Sequence, residues 1–168
     1  DVKTGIGVTG VVGIMENGPG PVVMFRADMD ANAVKEATGL DYASEVTAIN
    51  RYGEETYVAH MCGHDAHTTW LIGLGKTMAD LKDEWSGTLV LVAQPAEEPI
   101  EGALAMINDG LYTTHEVPHP DYFIAMHTYP ATTGLAIPSA GRVNTGSTVL
   151  DITFHGKGGH GSMPPAAQ

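Results

Sequence analysis

The sequence is poor in cysteine, in basic residues and in long apolar runs, and each shortage removes a class of protein. With a single cysteine, Cys62, no intrachain disulfide can form. The fold has to hold by packing, and a reducing, cytoplasmic setting is the expectation. Lys and Arg number 8 against 20 Asp and Glu, a formal charge of -12. A nucleic-acid partner is not expected, because neutralising phosphates needs clustered cations. No apolar run approaches the roughly 20 residues that a bilayer-spanning helix requires, so no membrane partner is expected. No signal-peptide pattern opens the chain. It starts without Met in strand-like sequence and stops at Gly159-His160-Gly161-Ser162-Met163-Pro164-Pro165 with no closing element, so both ends read as cut.

Apolar residues make up 43% of the 168, enough for one ordinary domain with a real core. Their runs are short and punctuated. Residues 8–15 are apolar and partly β-branched, and Asn17-Gly18-Pro19-Gly20-Pro21 supplies a turn. Residues 22–25 form an apolar run that empties into Arg26-Ala27-Asp28-Met29-Asp30. Residues 31–60 are mixed and polar, and predict loop with short irregular pieces. Over 66–81, Trp70, Leu71, Leu74, Met78 and Leu81 recur at helical spacing, and a strand-like run follows over 88–93. A second helix is predicted over 103–111, with Leu104, Ile107 and Leu111 on one side. A buried strand is predicted over 122–126, leading into His127.

This alternation predicts an α/β fold with a mostly parallel sheet flanked by helices. Near Asn144 the texture changes. Residues 149–154 alternate and lead into Gly156-Lys157-Gly158-Gly159-His160. The expected organisation is an α/β domain over 1–143 and the truncated first strand of a separate α+β unit over 144–168.

Four polar clusters fall where an open α/β sheet places its site, beyond the carboxyl ends of strands. They are Asp28 with Asp30, the block His60-Met61-Cys62-Gly63-His64-Asp65-Ala66-His67, the pair Glu97-Glu98, and His127. Together they offer soft and hard donors of the kind a zinc-like divalent ion accepts. Taken singly, each has two readings. Cys62 suits a small buried hydrophobe, or a ligand whose thiolate is favoured at a helix N-terminus beside histidines. His127 suits a structural histidine or a ligand. Asp28 and Asp30 suit loop caps, or carboxylates that orient ligating imidazoles from behind. His67, His115, His119 and His155 read as structural or surface residues.

Glu97 and Glu98 leave a strand side by side and so are expected to point in different directions. One can then hold a metal while the other acts as general base. The plainer reading is a solvent-facing acidic turn between Pro95 and Pro99. His160, among glycines, suits either an exposed tight turn or a close approach of backbone to a ligand.

In this order the blocks resemble the M20 amidohydrolases, and in particular the branch of hippurate hydrolases, auxin-conjugate hydrolases and N-acyl amino acid deacylases. The resemblance rests on Arg26-Ala27-Asp28-Met29-Asp30-Ala31, the 60–67 block, Gln94-Pro95-Ala96-Glu97-Glu98, His127 and the glycine-rich 156–160 stretch, and covers essentially the whole chain. It implies a zinc-exopeptidase-like catalytic domain over 1–143, lacking its N- and C-terminal parts, and the start of a lid and dimerisation domain over 144–168. It implies two divalent ions (zinc, manganese, cobalt or nickel) held by Cys62, His64, Glu98 and His127, with a last histidine ligand outside this chain.

The reaction implied is hydrolysis of the amide bond of an N-acyl amino acid by a metal-activated water. Glu97 would be the general base, and His160 would hold the tetrahedral oxyanion, often across a homodimer. By the same likeness, this stretch alone would be inactive. Ala31-Asn32-Ala33 and Met61 depart from the family's usual Ala-Leu-Pro and Ala, and neither change removes a ligand. Three other readings stay open: a covalent Cys62 nucleophile with a nearby histidine, a non-catalytic metal- or peptide-binding module, and a peptidase of the same family acting on dipeptides.

Overall fold

The computed structural model describes residues 1–141, 150, 152, 153, 155 and 156. The chain divides into two compact units, Asp1–Pro130 and Ala131–Gln168. The described part of the second unit contains no helix or strand. His160 lies outside the described residues, as do Val149, Asp151 and Phe154 of the strand expected over 149–154.

In the first unit the elements run β1 (Val2–Ile6), β2 (Gly10–Asn17), β3 (Val22–Asp28), β4 (Thr47–Ile49), β5 (Glu55–Tyr57), α1 (His64–Asp80), β6 (Gly87–Gln94), α2 (Gly102–Asn108) and β7 (Tyr122–Ala125). Five strands form one sheet in the order β1-β2-β6-β3-β7, and β4 pairs with β5 in a separate hairpin. The sheet is mixed, not mostly parallel as expected: β1–β2 and β2–β6 are antiparallel, whereas β6–β3 and β3–β7 are parallel. The short link from β1 to β2 allows only an antiparallel pair, while α1 and α2 supply the long crossovers that parallel pairs need. Hydropathy alone records burial and says nothing about strand direction.

Side chains alternate between the two faces along each strand. On one face Met24, Val90 and Val92 join Ile6, Val12, Met106, Leu111 and Val117 in a buried cluster beneath α2. On the other, Phe25 and Ala27 pack with Leu71 of α1, flanked by Leu74, Leu91 and Ala93. The chain therefore leaves β3 through α1 on one face and leaves β6 through α2 on the other. Between β3 and β6 the connections diverge, which opens a crevice at their carboxyl ends. The candidate site lies there.

Three local expectations change. Leu104 and Ile107 of α2 are 61% and 53% exposed, and the helix is anchored by Met106 at 2%. At two turns long, α2 buries one large side chain and not a stripe. The strand over 122–126 is an exposed edge strand: β7 pairs only with β3, and Tyr122, Phe123 and Ile124 stay open among the described residues. Within 31–60 the β4–β5 hairpin had no apolar signal to betray it. It closes through polar contacts, Thr47 Oγ1 donating to Glu55 (2.9 Å) and the Asn50 side chain accepting from the Tyr52 and Glu54 amides.

Candidate metal centre

The buried stripe of α1 does not end with its apolar residues. Continuing from Leu74 and Leu71 toward the N-terminus, the same face carries His67 and then His64, each 1% exposed. The helix thus drives two imidazoles into the crevice by the spacing that buries its leucines. Trp70 and Leu81, expected on this stripe, are 36% and 47% exposed.

His64 and His67 differ in what their nitrogens meet. His64 Nδ1 donates to the Asp30 carbonyl at 2.9 Å, so its Nε2 carries the lone pair. Around Nε2 stand Asp28 Oδ1 at 3.8 Å, Glu97 Oε2 at 3.9 Å and Glu98 Oε1 at 3.8 Å. None is close enough for a hydrogen bond, and Nε2 is buried with no partner among the described residues. His67, in contrast, is fully engaged. Its Nδ1 bonds the Asp28 carboxylate, and its Nε2 accepts the Thr128 N–H at 2.8 Å.

His127 follows the His64 pattern: Nδ1 donates to the Thr128 carbonyl at 2.7 Å, and Nε2 stands 3.7 Å from Cys62 Sγ. Donor atoms of Cys62, His64 and Glu98 all lie within 4.8 Å of one another. A tetrahedral ion with bonds of about 2.0–2.3 Å separates its ligand atoms by about 3.3–3.8 Å. Cys62 Sγ to His127 Nε2 at 3.7 Å and His64 Nε2 to Glu98 Oε1 at 3.8 Å are therefore separations that donors around a cation adopt, at the upper end of the range. A buried, unpartnered imidazole nitrogen facing carboxylates is costly unless a cation completes it. The residues fit a divalent metal.

A second grouping, Asp28, His64, His67 and His127, is equally compact. There, however, both His67 nitrogens are already spent on protein partners, so its lone pair is not offered to an ion.

Electrostatics point the same way. Burial would raise the Asp28 carboxyl, but the His67 hydrogen bond and then the Arg26 guanidinium outweigh it, holding Asp28 below its ordinary value. Arg26 Nη1 reaches Asp28 Oδ2 at 2.9 Å. Cys62 differs from its sequence reading. Burial, then Glu98, Glu97 and Asp28, push the thiol above its ordinary value. A thiolate at this helix start needs a cation to offset those carboxylates.

Two glycines let the segments meet. Gly63 caps α1 in the left-handed region (φ 81°), and a Cβ there would stand 2.3 Å from Thr128 Oγ1. Only glycine lets the loop after β7 lie against the start of α1. Gly102 plays the same part for the turn after β6, since a Cβ there would fall 1.6 Å from the Pro95 carbonyl oxygen. That turn is strained, with Ala96 at φ 49° and Ile100 at φ 61°, as functional segments often are. It turns Glu97 and Glu98 toward the same imidazole, not in different directions as expected, and Asp30 Oδ2 accepts the Glu98 N–H at 3.0 Å.

The structure thus brings together Cys62, His64, Glu98 and His127, with Glu97 beside them. His67, read as structural or surface, is structural, with both ring nitrogens engaged by protein; its spacing from His64 along the buried stripe was the available signal. Sequence reasoning missed Asn32, whose Oδ1 accepts the Met61 N–H at 3.0 Å and ties down the loop before Cys62. His115 and His119 have partners elsewhere, Asp109 and the Tyr112 ring.

Residues 24–161 match the model of peptidase family M20/M25/M40. The chain belongs to this family. It is 37% identical over 170 residues to the hippurate hydrolase of Campylobacter jejuni subsp. jejuni serotype O:2, covering 100% of this chain and 41% of that one. It is 36% identical over 163 residues to the IAA-amino acid hydrolase ILR1-like 4 of Arabidopsis thaliana, covering 96% of this chain and 34% of that one. Among solved structures it resembles the YXEP protein of Bacillus subtilis, a dinuclear metal binding peptidase of the M20 family. The TM-score is 0.60 at 32% identity, covering 73% of this chain and 31% of that one. This M20 chain therefore spans between a third and two fifths of the length of these curated relatives. Among its described residues, no helix is long and apolar enough to cross a membrane.

Proposed function

We propose that this chain is the metal-binding catalytic part of an M20 amidohydrolase that cleaves the amide bond of N-acyl amino acids. One observation carries the reading: in a chain of this family, the buried His64 Nε2 has no partner among the described residues and faces Asp28, Glu97 and Glu98. The relatives support the substrate class, because hippurate is an N-acylated glycine and the plant enzyme is named for an IAA-amino acid.

Cys62, His64, Glu98 and His127 would hold two divalent ions together with a histidine outside this chain. Bound there, such ions supply Lewis acidity, polarising an amide carbonyl and easing ionisation of a water. The chain's own residues do the rest. Glu97, partly exposed at the mouth of the cluster, takes the proton of the attacking water and returns it to the leaving amine. Asp30 holds His64 by its carbonyl and the Glu98 backbone by its carboxylate, so these two donors keep one geometry. His160 is proposed as the oxyanion donor, in a homodimer across to the partner's site. His160→Ala should then lower the rate without releasing metal.

The test is chelation of the full-length protein and return of zinc, manganese, cobalt or nickel singly, each state assayed on a panel of N-acyl amino acids and dipeptides. Activity should vanish on chelation, return with metal, and favour N-acyl amino acids. A preference for dipeptides would overturn the substrate class. Absence of turnover in every loaded state would make the protein a binding module. Turnover that survives metal removal but stops on Cys62 alkylation would replace the mechanism with a covalent one.

A further inference from the structure

We propose that His67 is a positioning residue for His127: bridged between the Asp28 carboxylate and the Thr128 N–H, its imidazole fixes the loop after β7 so that His127 Nε2 faces Cys62. The inference rests on the metal reading above and adds to it a part for a residue that binds no ion itself.

The need for such a device follows from the fold. His127 comes two residues after β7, a four-residue edge strand with a single pairing neighbour and exposed side chains. An edge of that kind cannot by itself aim an imidazole. The aim comes from α1. Asp28 and His67 are 0% and 1% exposed, so their mutual hydrogen bond is fully desolvated and strong. That bond consumes the Nδ1 proton and leaves Nε2 as an acceptor, which takes the Thr128 N–H at 2.8 Å.

The Thr128 nitrogen belongs to the peptide plane that begins at the His127 carbonyl, so holding it orients His127 directly. The Thr128 carbonyl in turn accepts from His127 Nδ1 at 2.7 Å, and Thr128 Oγ1 donates to the Cys62 carbonyl at 3.3 Å. The two rings lie against each other, centroids 4.4 Å apart at 63°. One chain of contacts therefore runs from Asp28 through His67 and Thr128 to both His127 and Cys62.

The experiment is a cobalt(II) titration of the full-length protein against a competing chelator, recording affinity together with the thiolate–cobalt and ligand-field absorption bands. His67→Leu should weaken cobalt binding about 10- to 100-fold, the usual effect of losing a group behind a metal ligand, and shift the ligand-field bands. His67→Gln keeps an acceptor toward Thr128 and should recover most of the affinity. A folded His67→Leu protein with wild-type affinity and bands would overturn the proposal, and so would a His67→Gln variant as weak as His67→Leu. Should His67→Leu fail to fold, Thr128→Pro decides. It deletes the N–H while leaving His67 and Asp28 in place: weakened binding supports the proposal and wild-type binding overturns it. His127→Ala separates the two levels of the argument. Unchanged cobalt affinity there removes His127 from the metal site and the inference with it. A large loss there beside an unaffected His67→Leu defeats the positioning role alone.

Discussion

On the α2 face of the sheet the large buried cluster is apolar, and Ile6, Val12, Met24, Val90 and Met106 are each at 2% exposure or less. On the α1 face the buried apolar set shrinks to Phe25, Ala27 and Leu71, and its carboxyl end is taken over by Asp28, His64 and His67. The difference teaches how a small domain can carry a poorly satisfied site. Each fully buried apolar side chain contributes about 1.5–3 kcal/mol, while one buried polar atom without a partner costs about 1–3 kcal/mol. The α2 face offsets what the α1 face withholds. Chemistry and stability should therefore be separable by mutation, face by face.

The largest effect belongs to the rim of the α1 face. Glu97→Gln in the full-length enzyme should lower turnover about a hundred- to ten-thousand-fold, the range for a general base, with metal content unchanged by elemental analysis. Because Glu97 and Glu98 both face His64 at nearly equal range, direction alone does not divide their roles. Metal loss in Glu97→Gln with retention in Glu98→Gln would exchange them.

Met106→Ala tests the other face. It should lower the unfolding free energy by about 2–5 kcal/mol in denaturant titration and leave metal affinity as it was. A matching loss of metal affinity would break the separation. Gly63→Ala joins the two properties, because it strains a left-handed residue and drives a Cβ into Thr128. A cost of about 1–3 kcal/mol is expected, together with weaker metal binding, since Thr128 sits between His67 and His127. A stable variant with full metal affinity would show that the loop has room to move.

Much of this was legible in the sequence, for reasons that differ by element. β3 and β6 are buried on both faces and read as continuous apolar runs. α1 announced itself through Leu71, Leu74 and Met78. β4 and β5 did not, because three-residue strands held by polar side chains leave no period to detect. The clusters that contain Cys62, His64, Glu97, Glu98 and His127 stood out because strand ends and a helix start concentrate function in such sheets, while the choice of ligands within them rested on the likeness to the M20 family. His67 was left between a structural and a surface reading because the α1 stripe was read from apolar residues alone, which hid that imidazoles complete it. The Cys62 thiol was misjudged for another reason. The helix start is local and visible, but the carboxylates that oppose a thiolate come from positions 28, 97 and 98.

The smallest effect is expected at a charged fastener on the edge of the α2 face. Asp109 Oδ2 accepts the Gly7 N–H at 3.0 Å and bonds His115 Nε2 at 2.9 Å, tying the end of α2 to the turn between β1 and β2. The Gly7 hydrogen bond first, and then His115, hold its carboxyl below the ordinary value of 3.8. A carboxyl depressed in the folded state favours folding once the pH is above the unfolded value. That contribution fades as the pH falls through the folded one. Asp109→Asn removes the charge and keeps an acceptor. Its Tm should lie modestly below wild type at neutral pH, and the gap should close as the pH drops below about 4. The fastener is remote in sequence and chemistry from Cys62, His64, Glu98 and His127, so this gap should be the same with metal bound or removed. A gap that does not narrow as the pH falls would show that the Asp109 charge is not what holds the fastener, and a gap that depends on metal would show that the α2 face and the metal centre are not independent.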